Sequence, residues 1–280
     1  MTQPSPLITL NNGNQVPQLG FGVWQIANDK TAEAVQTALE AGYRLIDTAT
    51  IYENESGVGA GLKASGMARS DYFVTTKVWN DSHGAEATKA AFYQSLERLG
   101  LDYVDMYLIH WPVPKINQYV QSWQAMIELR DAGLIKNIGV CNFNANHIEA
   151  LIRETGEKPV VNQIELHPAF QQPAMRQFHA QHQIQTQAWS PMGLGTLWDN
   201  PTLADIAAKH QRNVGQIMLR WQIELGHLVL SKSETPERIR SNLQIFDFAL
   251  DEADKQAIAT LHNEAGRLGP DPDLFRLPKN

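Results

Sequence analysis

The chain has 280 residues, a formal net charge of -7 and a single cysteine, Cys141. The acidic balance argues against nucleic acid as a partner, because such binding draws on clustered Lys and Arg that release counterions. One cysteine allows no intramolecular disulfide and no thiolate zinc cluster, and no apolar run is long enough to cross a bilayer, so no membrane partner and a cytoplasmic setting are expected.

Taken in chain order, the first signal is "LITLNNGNQVPQL" from Leu7, where Asn11, Asn12 and Gly13 separate two short apolar runs. That pattern predicts a β-hairpin, placed to cap one end of whatever follows. From Leu19 onward, short β-branched runs alternate with stretches of helical spacing, the mark of βα units and a parallel sheet. The predicted strands are "LGFGVW" at 19, "YRLIDTA" at 43, "YFVTTKVW" at 72, "VDMYLIHW" at 104, "IKNIGVCN" at 135, "VVNQIEL" at 160, "IQTQAWS" at 184 and "HLVLSKS" at 227. Between them, segments such as "TAEAVQTALEAG" repeat Ala34, Ala38 and Ala41 at helical steps and stop at Gly42.

Eight strands, each followed by a helix, predict an α/β fold of the closed (β/α)8 barrel type in one domain spanning residues 1–280. The tail "GRLGPDPDLFRLPKN", rich in Gly and Pro, predicts an irregular C-terminal arm.

In such a barrel the active site lies at the C-terminal ends of the strands. The predicted second, third and fourth strands end at Asp47, Lys77 and His110, with Tyr52 on the loop after the first of these. A structural ion pair would explain any one of them; three on successive strands converge on one pocket mouth. A free phenol titrates near 10, too high for an efficient acid at neutrality. A Lys ammonium beside it favours the phenolate, and Asp47 can keep that Lys charged and in place. The expectation is an acid built from Asp47, Tyr52 and Lys77, with His110 directing the proton to a substrate oxygen. Lys77 at a strand end also leaves open a Schiff-base enzyme.

The motifs "GYRLIDTATIYENESGVGAGL", "TTKVWN", "LIHWP", "IGVCNF", "VNQIELHP" and "KSETPERIRSN" resemble, in order, those of the aldo-keto reductases, from about residue 7 to the end. Among these the chain is similar to the small bacterial members related to 2,5-diketo-gluconate reductase. The resemblance implies NADPH-dependent reduction of small aldehydes, ketones, dicarbonyls or keto-sugars, with Tyr52, Asp47, Lys77 and His110 as the catalytic tetrad. It implies Asn142, Gln163, Trp189 and Ser190 at the nicotinamide, and Lys232, Ser233, Arg238 and Asn242 at the 2′-phosphate and adenine. Trp24, Ile51, Trp79 and Trp111 would line the substrate pocket. The residues support the phosphate site themselves, because Thr235 and Pro236 begin a helix just after Lys232.

Two positions depart from the family. Cys141 replaces a usual Ser and weakens one carboxamide contact. Glu234 brings a carboxylate to the phosphate site, which admits NADH beside NADPH unless Glu234 pairs with Arg238 or Arg240. A regulatory nicotinamide-binding protein without turnover is the alternative reading, and a monomer is expected. Two further signals are read as structural: "GVGAG" at 57 as close helix packing, and His179 with His182 as a solvated helix face rather than a metal site.

Overall fold

The computed structural model describes residues 5–275. The hairpin is present, with β1 (Leu7–Thr9) antiparallel to β2 (Gln15–Pro17). Eight parallel strands then close a barrel: β3 (Leu19–Gly22), β4 (Leu45–Asp47), β5 (Phe73–Val78), β6 (Val104–Ile109), β7 (Ile135–Cys141), β8 (Val161–Glu165), β9 (Gln185–Trp189) and β10 (Leu228–Ser231), which pairs back onto β3. Each lies inside one of the eight predicted runs.

Helices α1 (Asn28–Ala41), α2 (Glu55–Ala64), α3 (Ala85–Leu99), α4 (Tyr119–Asp131), α5 (Ala145–Thr155) and α6 (Pro173–His182) each connect successive strands from β3 to β9. Between β9 and β10 stand two helices, α7 (Pro201–His210) and α8 (Val214–Glu224). They are separated where Gln211 turns left-handed and Asn213 opens a capping box with Gln216. Helices α9 (Pro236–Asn242) and α10 (Glu252–Ala259) follow β10. Among the described residues no helix is long and apolar enough to cross a membrane.

Strand alternation sorts the side chains into two compartments. Ile46, Val74, Val78, Tyr107, Ile109, Ile138, Val140 and Val229 point out and pack under the helices. Leu45, Met106, Leu108, Val161, Leu228 and Leu230 point in and fill the barrel floor. The same parity, carried toward the C-terminal strand ends, aims Asp47, Lys77, His110, Gln163, Glu165 and Trp189 inward at the mouth. A sheet register that slipped by one residue would send all of these outward.

The hairpin closes the opposite end. Leu10 and Val16 join the apolar floor. Asn11 Nδ2 donates to the carbonyls of Pro159 and Gln183, and Asn12 Nδ2 donates to Asn137 Oδ1, all near the starts of β7, β8 and β9. The "GVGAG" run lies in α2 as packing: a Cβ on Gly57 would come within 2.5 Å of the Asn28 carbonyl, and one on Gly61 within 2.6 Å of that of Ala32.

The reading of His179 as part of a solvated face is corrected. His179 is buried, its ring bridging Asn162 on β8 and Thr186 on β9 at 2.9 Å each. Those two polar side chains point out of the barrel, and the helix that covers them satisfies them with an imidazole.

Candidate active site

The segment after β4 is held by its own polar residues. Thr48 Oγ1 donates to Asn54 Oδ1 at 2.8 Å, and Asn54 Nδ2 donates to the carbonyls of Val23 and Ile26. Thr50 Oγ1 donates to the Lys77 carbonyl at 3.0 Å, tying the loop to β5. This bracing sets a short 3-10 turn, Thr50–Tyr52, that delivers the phenol over the mouth.

Beneath it, Lys77 Nζ donates to Asp47 Oδ1 at 2.5 Å and to the Thr48 carbonyl at 2.8 Å. The other Asp47 oxygen accepts from Gln163 Nε2 at 3.0 Å, and the same nitrogen reaches Gln187 Oε1. Lys77 Nζ lies 5.1 Å from the Tyr52 ring centroid, and the rings of Tyr52 and Trp79 meet His110 edge-on at 5.7 and 5.1 Å. The four residues expected at one pocket mouth therefore do converge.

The electrostatics follow from burial and charge together. Burial acts to lower the Lys77 ammonium, but Asp47 and Tyr52 outweigh it and hold the group charged, well above neutrality. Burial pushes the Asp47 carboxyl up, against the pull of Lys77 and then of Gln163. His110 is held well below its ordinary value by burial and by the nearby Lys77 charge, so its imidazole is neutral at pH 7.

The phenol departs from expectation. Burial pushes Tyr52 up to about 12, more than Lys77 pulls it down. Desolvation wins because the ammonium's charge is already shared with Asp47 in a close pair.

A cavity of about 790 Å³ opens above these groups. Asp47, Tyr52 and His110 face it, as do Trp24, Ile51, Trp79 and Trp111 at one end and Asn142, Gln163, Trp189, Ser190 and Lys232 toward the other. Lys77 does not reach the cavity and lies beneath it. Asn142 and Ser190 reach it through left-handed backbone, at φ 58 and φ 48, a conformation that asparagine tolerates better than most residues. Asn142 Nδ2 donates to the His110 carbonyl, and Trp189 Nε1 donates to Asn142 Oδ1 at 2.8 Å.

A second lobe, about 690 Å³, continues past Met192, Trp198 and Lys232. Ser233, Arg238 and Asn242 line it together. Glu234 pairs with neither arginine. Its carboxylate accepts from Lys232 Nζ at 2.9 Å, and that contact holds it below the usual carboxylate range. The Cys141 thiol is sealed in the floor and lines neither lobe.

Sequence reasoning missed the C-terminal arm as part of the site. Leu268, Gly269, Pro270 and Phe275 line the main lobe, and the Phe275 ring stacks on Trp111 at 4.3 Å and 17°. Residues 276–280 lie outside the described range. Trp198, exposed between the lobes, was also missed. The signal available for both was an aromatic stranded in a Gly- and Pro-rich or loop context, with no helical or strand period to bury it.

An eight-stranded barrel with a buried Lys–Asp pair under a phenol, and a two-lobed cleft ending in cations, defines a class. The Aldo/keto reductase family model matches residues 18–263, and the chain belongs to that family. It is an oxidoreductase that reduces carbonyl groups with NADPH. Among its relatives, methylglyoxal reductase DkgA of Escherichia coli is 49% identical over 277 residues, covering 98% of this chain and 99% of that one. The aldo/keto reductase from Brucella melitensis is 55% identical, with a TM-score of 0.89 over 92% of this chain and 99% of that one. A variant of Gox0644 in complex with NADPH is 43% identical, with a TM-score of 0.95 over 98% and 100% of the two chains.

Proposed function

We propose that this protein reduces small aldehydes, ketones and dicarbonyls, methylglyoxal and keto-sugars among them, with Tyr52 as the proton donor. The observation that carries the proposal is the sealed Lys77–Asp47 pair beneath Tyr52, with Tyr52 and His110 facing the same cavity. NADPH, when bound along the two lobes, would supply the hydride for the carbonyl carbon. As the carbonyl oxygen gains charge it becomes an alkoxide, a stronger base than a phenolate, so a phenol held protonated at neutral pH can still give up its proton. The phenolate so formed sits beside the fixed Lys77 ammonium, which stabilises it without reorganising. His110, being neutral, orients the oxygen by hydrogen bonding and adds no competing charge.

The residues present fit the cofactor. Trp189 offers a flat face, and the amides of Asn142 and Gln163 stand beside it for a carboxamide; the sealed Cys141 thiol makes no such contact. In the second lobe Arg238 makes no ion pair among the described residues, so its charge is free for a 2′-phosphate, with Ser233 and Asn242 beside it. Lys232 is the weaker claim, because Glu234 already holds it. A preference for NADPH over NADH that is narrower than the family's follows from that pair.

The Schiff-base alternative loses support, since its lysine must be neutral and reachable, whereas Lys77 is charged and wholly buried. The three pocket tryptophans and Phe275 favour compact substrates with apolar flanks. The same reading carries a single-domain monomer working in the cytoplasm, to be checked by light scattering and cell fractionation.

The test is the rate of NADPH and NADH oxidation by purified protein with methylglyoxal, 2,5-diketo-gluconate and a panel of simple aldehydes. Carbonyl-dependent oxidation is expected, faster with NADPH. Tight cofactor binding with no oxidation would replace the reductase by a regulatory binding protein.

A further inference from the structure

Glu165 is a buried acid at the barrel mouth for which the proposed reaction has no use. It ends β8, two residues after Gln163 and on the same inward face, with Trp189 as its register partner on β9. No Lys or Arg pairs with it among the described residues. Its carboxylate accepts instead from the Leu268 N–H at 2.6 Å, from the Gly269 N–H at 2.8 Å and from His167 Nε2 at 3.0 Å. Burial acts to raise this carboxyl, but the His167 contact and the two arm amides outweigh it and keep the group ionised.

The two amides belong to the C-terminal arm at the point where it crosses the cleft. A Cβ on Gly269 would lie 2.6 Å from Trp189 Cη2 and 3.0 Å from Glu165 Oε2, so the arm rests its backbone directly on the indole. Beyond that point the arm is held again, where Asp273 accepts from Asn144 Nδ2 at 2.8 Å and pairs with His147 at 3.2 Å, before Phe275 reaches Trp111. The bonds at 268 and 269 thus fix the arm's entry, the Asp273 contacts fix its end, and Trp189 is braced between Gly269 and Asn142.

We propose that Glu165 is a positioning residue whose carboxylate latches the C-terminal arm onto the rim of the cavity, bracing Trp189 and building the apolar wall against which the carbonyl substrate rests. The inference rests on the reading of Trp189 and the main lobe given above. A side chain that accepts two backbone N–H groups of an otherwise irregular segment substitutes for the partners a strand would have supplied. Charge-assisted bonds of this kind are the strong ones.

Two variants and two readouts test it. Glu165→Gln keeps the size but turns an N–H donor toward one of the arm amides; Gly269→Ala lifts the arm from Trp189 and leaves the carboxylate in place. Each should raise the KM for the carbonyl on the order of tenfold with much less change in kcat, because both remove wall rather than chemistry. The double variant should resemble the singles, since both act by unseating one segment.

The second readout needs no activity. The peptide bond after Arg267 contains the very N–H of Leu268 that Glu165 holds, so trypsin should cut there on the order of tenfold faster in Glu165→Gln than in the parent. A parent enzyme that turns over while Glu165→Gln leaves both KM and the cleavage rate unchanged overturns the latch. Effects that multiply in the double variant also overturn it. A parent that oxidises no NADPH sinks the reductase reading instead and leaves the cleavage test to decide the latch. If Glu165→Gln does not fold, Gly269→Ala alone decides by the same two readouts.

Discussion

At the chemistry end of the cleft the side chains of Lys77 and Asp47 are 0% and 3% exposed, while at the phosphate end those of Lys232 and Glu234 are 33% and 43% exposed. Both are Lys–carboxylate pairs within hydrogen-bond distance, yet their surroundings give them opposite characters. The buried pair is tied to the Thr48 carbonyl and to Gln163, so it cannot rearrange without leaving a charge in the barrel core. The exposed pair can swap partners with water or an incoming phosphate at a cost of about 1 kcal/mol or less. On the proposed function, one lobe holds a proton donor in a fixed field and the other exchanges a charged ligand.

That contrast can be broken most directly at the phenol. Tyr52→Phe should cost on the order of 10² to 10⁴ in turnover while NADPH binding, followed by fluorescence, stays within about twofold, because only the proton donor is lost. An unimpaired variant would move the acid elsewhere. Lys77→Met leaves Asp47 charged and unpaired in the core, and should lower stability by about 3–5 kcal/mol in urea unfolding. Lys232→Met, the matching change at the exposed pair, should shift stability by about 1 kcal/mol or less. Equal losses from the two would erase the difference between the lobes.

The frame that carries both lobes has its own titration. Burial, as the largest cause, pushes His179 and His227 down to about 3, and both stay neutral in the folded protein well into acid. In the unfolded chain they take up protons near 6.5, so their contribution to stability is intact above that pH and is lost as pH falls toward about 3. Each loses about 1.4 kcal/mol per pH unit below 6.5, so these two contribute a drop of about 2–3 kcal/mol between pH 7 and 5.5, to which the buried His83 and His110 add in the same direction. A flat unfolding free energy over that range would mean the histidines are solvated in the native state.

The smallest effect sharpens the phosphate end. Glu234→Val frees Lys232 from its pair, and at about 1 kcal/mol for such a charge in high dielectric the NADPH over NADH ratio of kcat/KM should rise about fivefold. The rise should shrink with added salt. An unchanged ratio would place the phosphate on Arg238 alone.

The inward placement of Asp47, Lys77 and His110 at the barrel mouth was legible because strand parity is a local property: once "YRLIDTA" is a strand with Leu45 inward, Asp47 is inward too. The second lobe, proposed to take the phosphate, was foreshadowed by a helix start next to a lysine. The arm was not, because "GPDPDLF" has no period, and its place depends on a carboxylate about a hundred residues away in the chain and on Trp111. The burial of His179 was hidden for a related reason, since its partners Asn162 and Thr186 lie on two other elements.

The sequence by itself determined the eight βα units, the hairpin and the identity of the residues at each strand end, all of which follow from period, turn chemistry and motif order. Only the tertiary structure decided how those residues are charged and whom they touch. Tyr52 sits near 12 rather than below 10 because desolvation depends on everything packed around it. Glu234 chooses Lys232 over two arginines because an ion pair is settled by distance in space, and Glu165 holds the arm because a buried carboxylate takes whatever donors the folded chain brings to it.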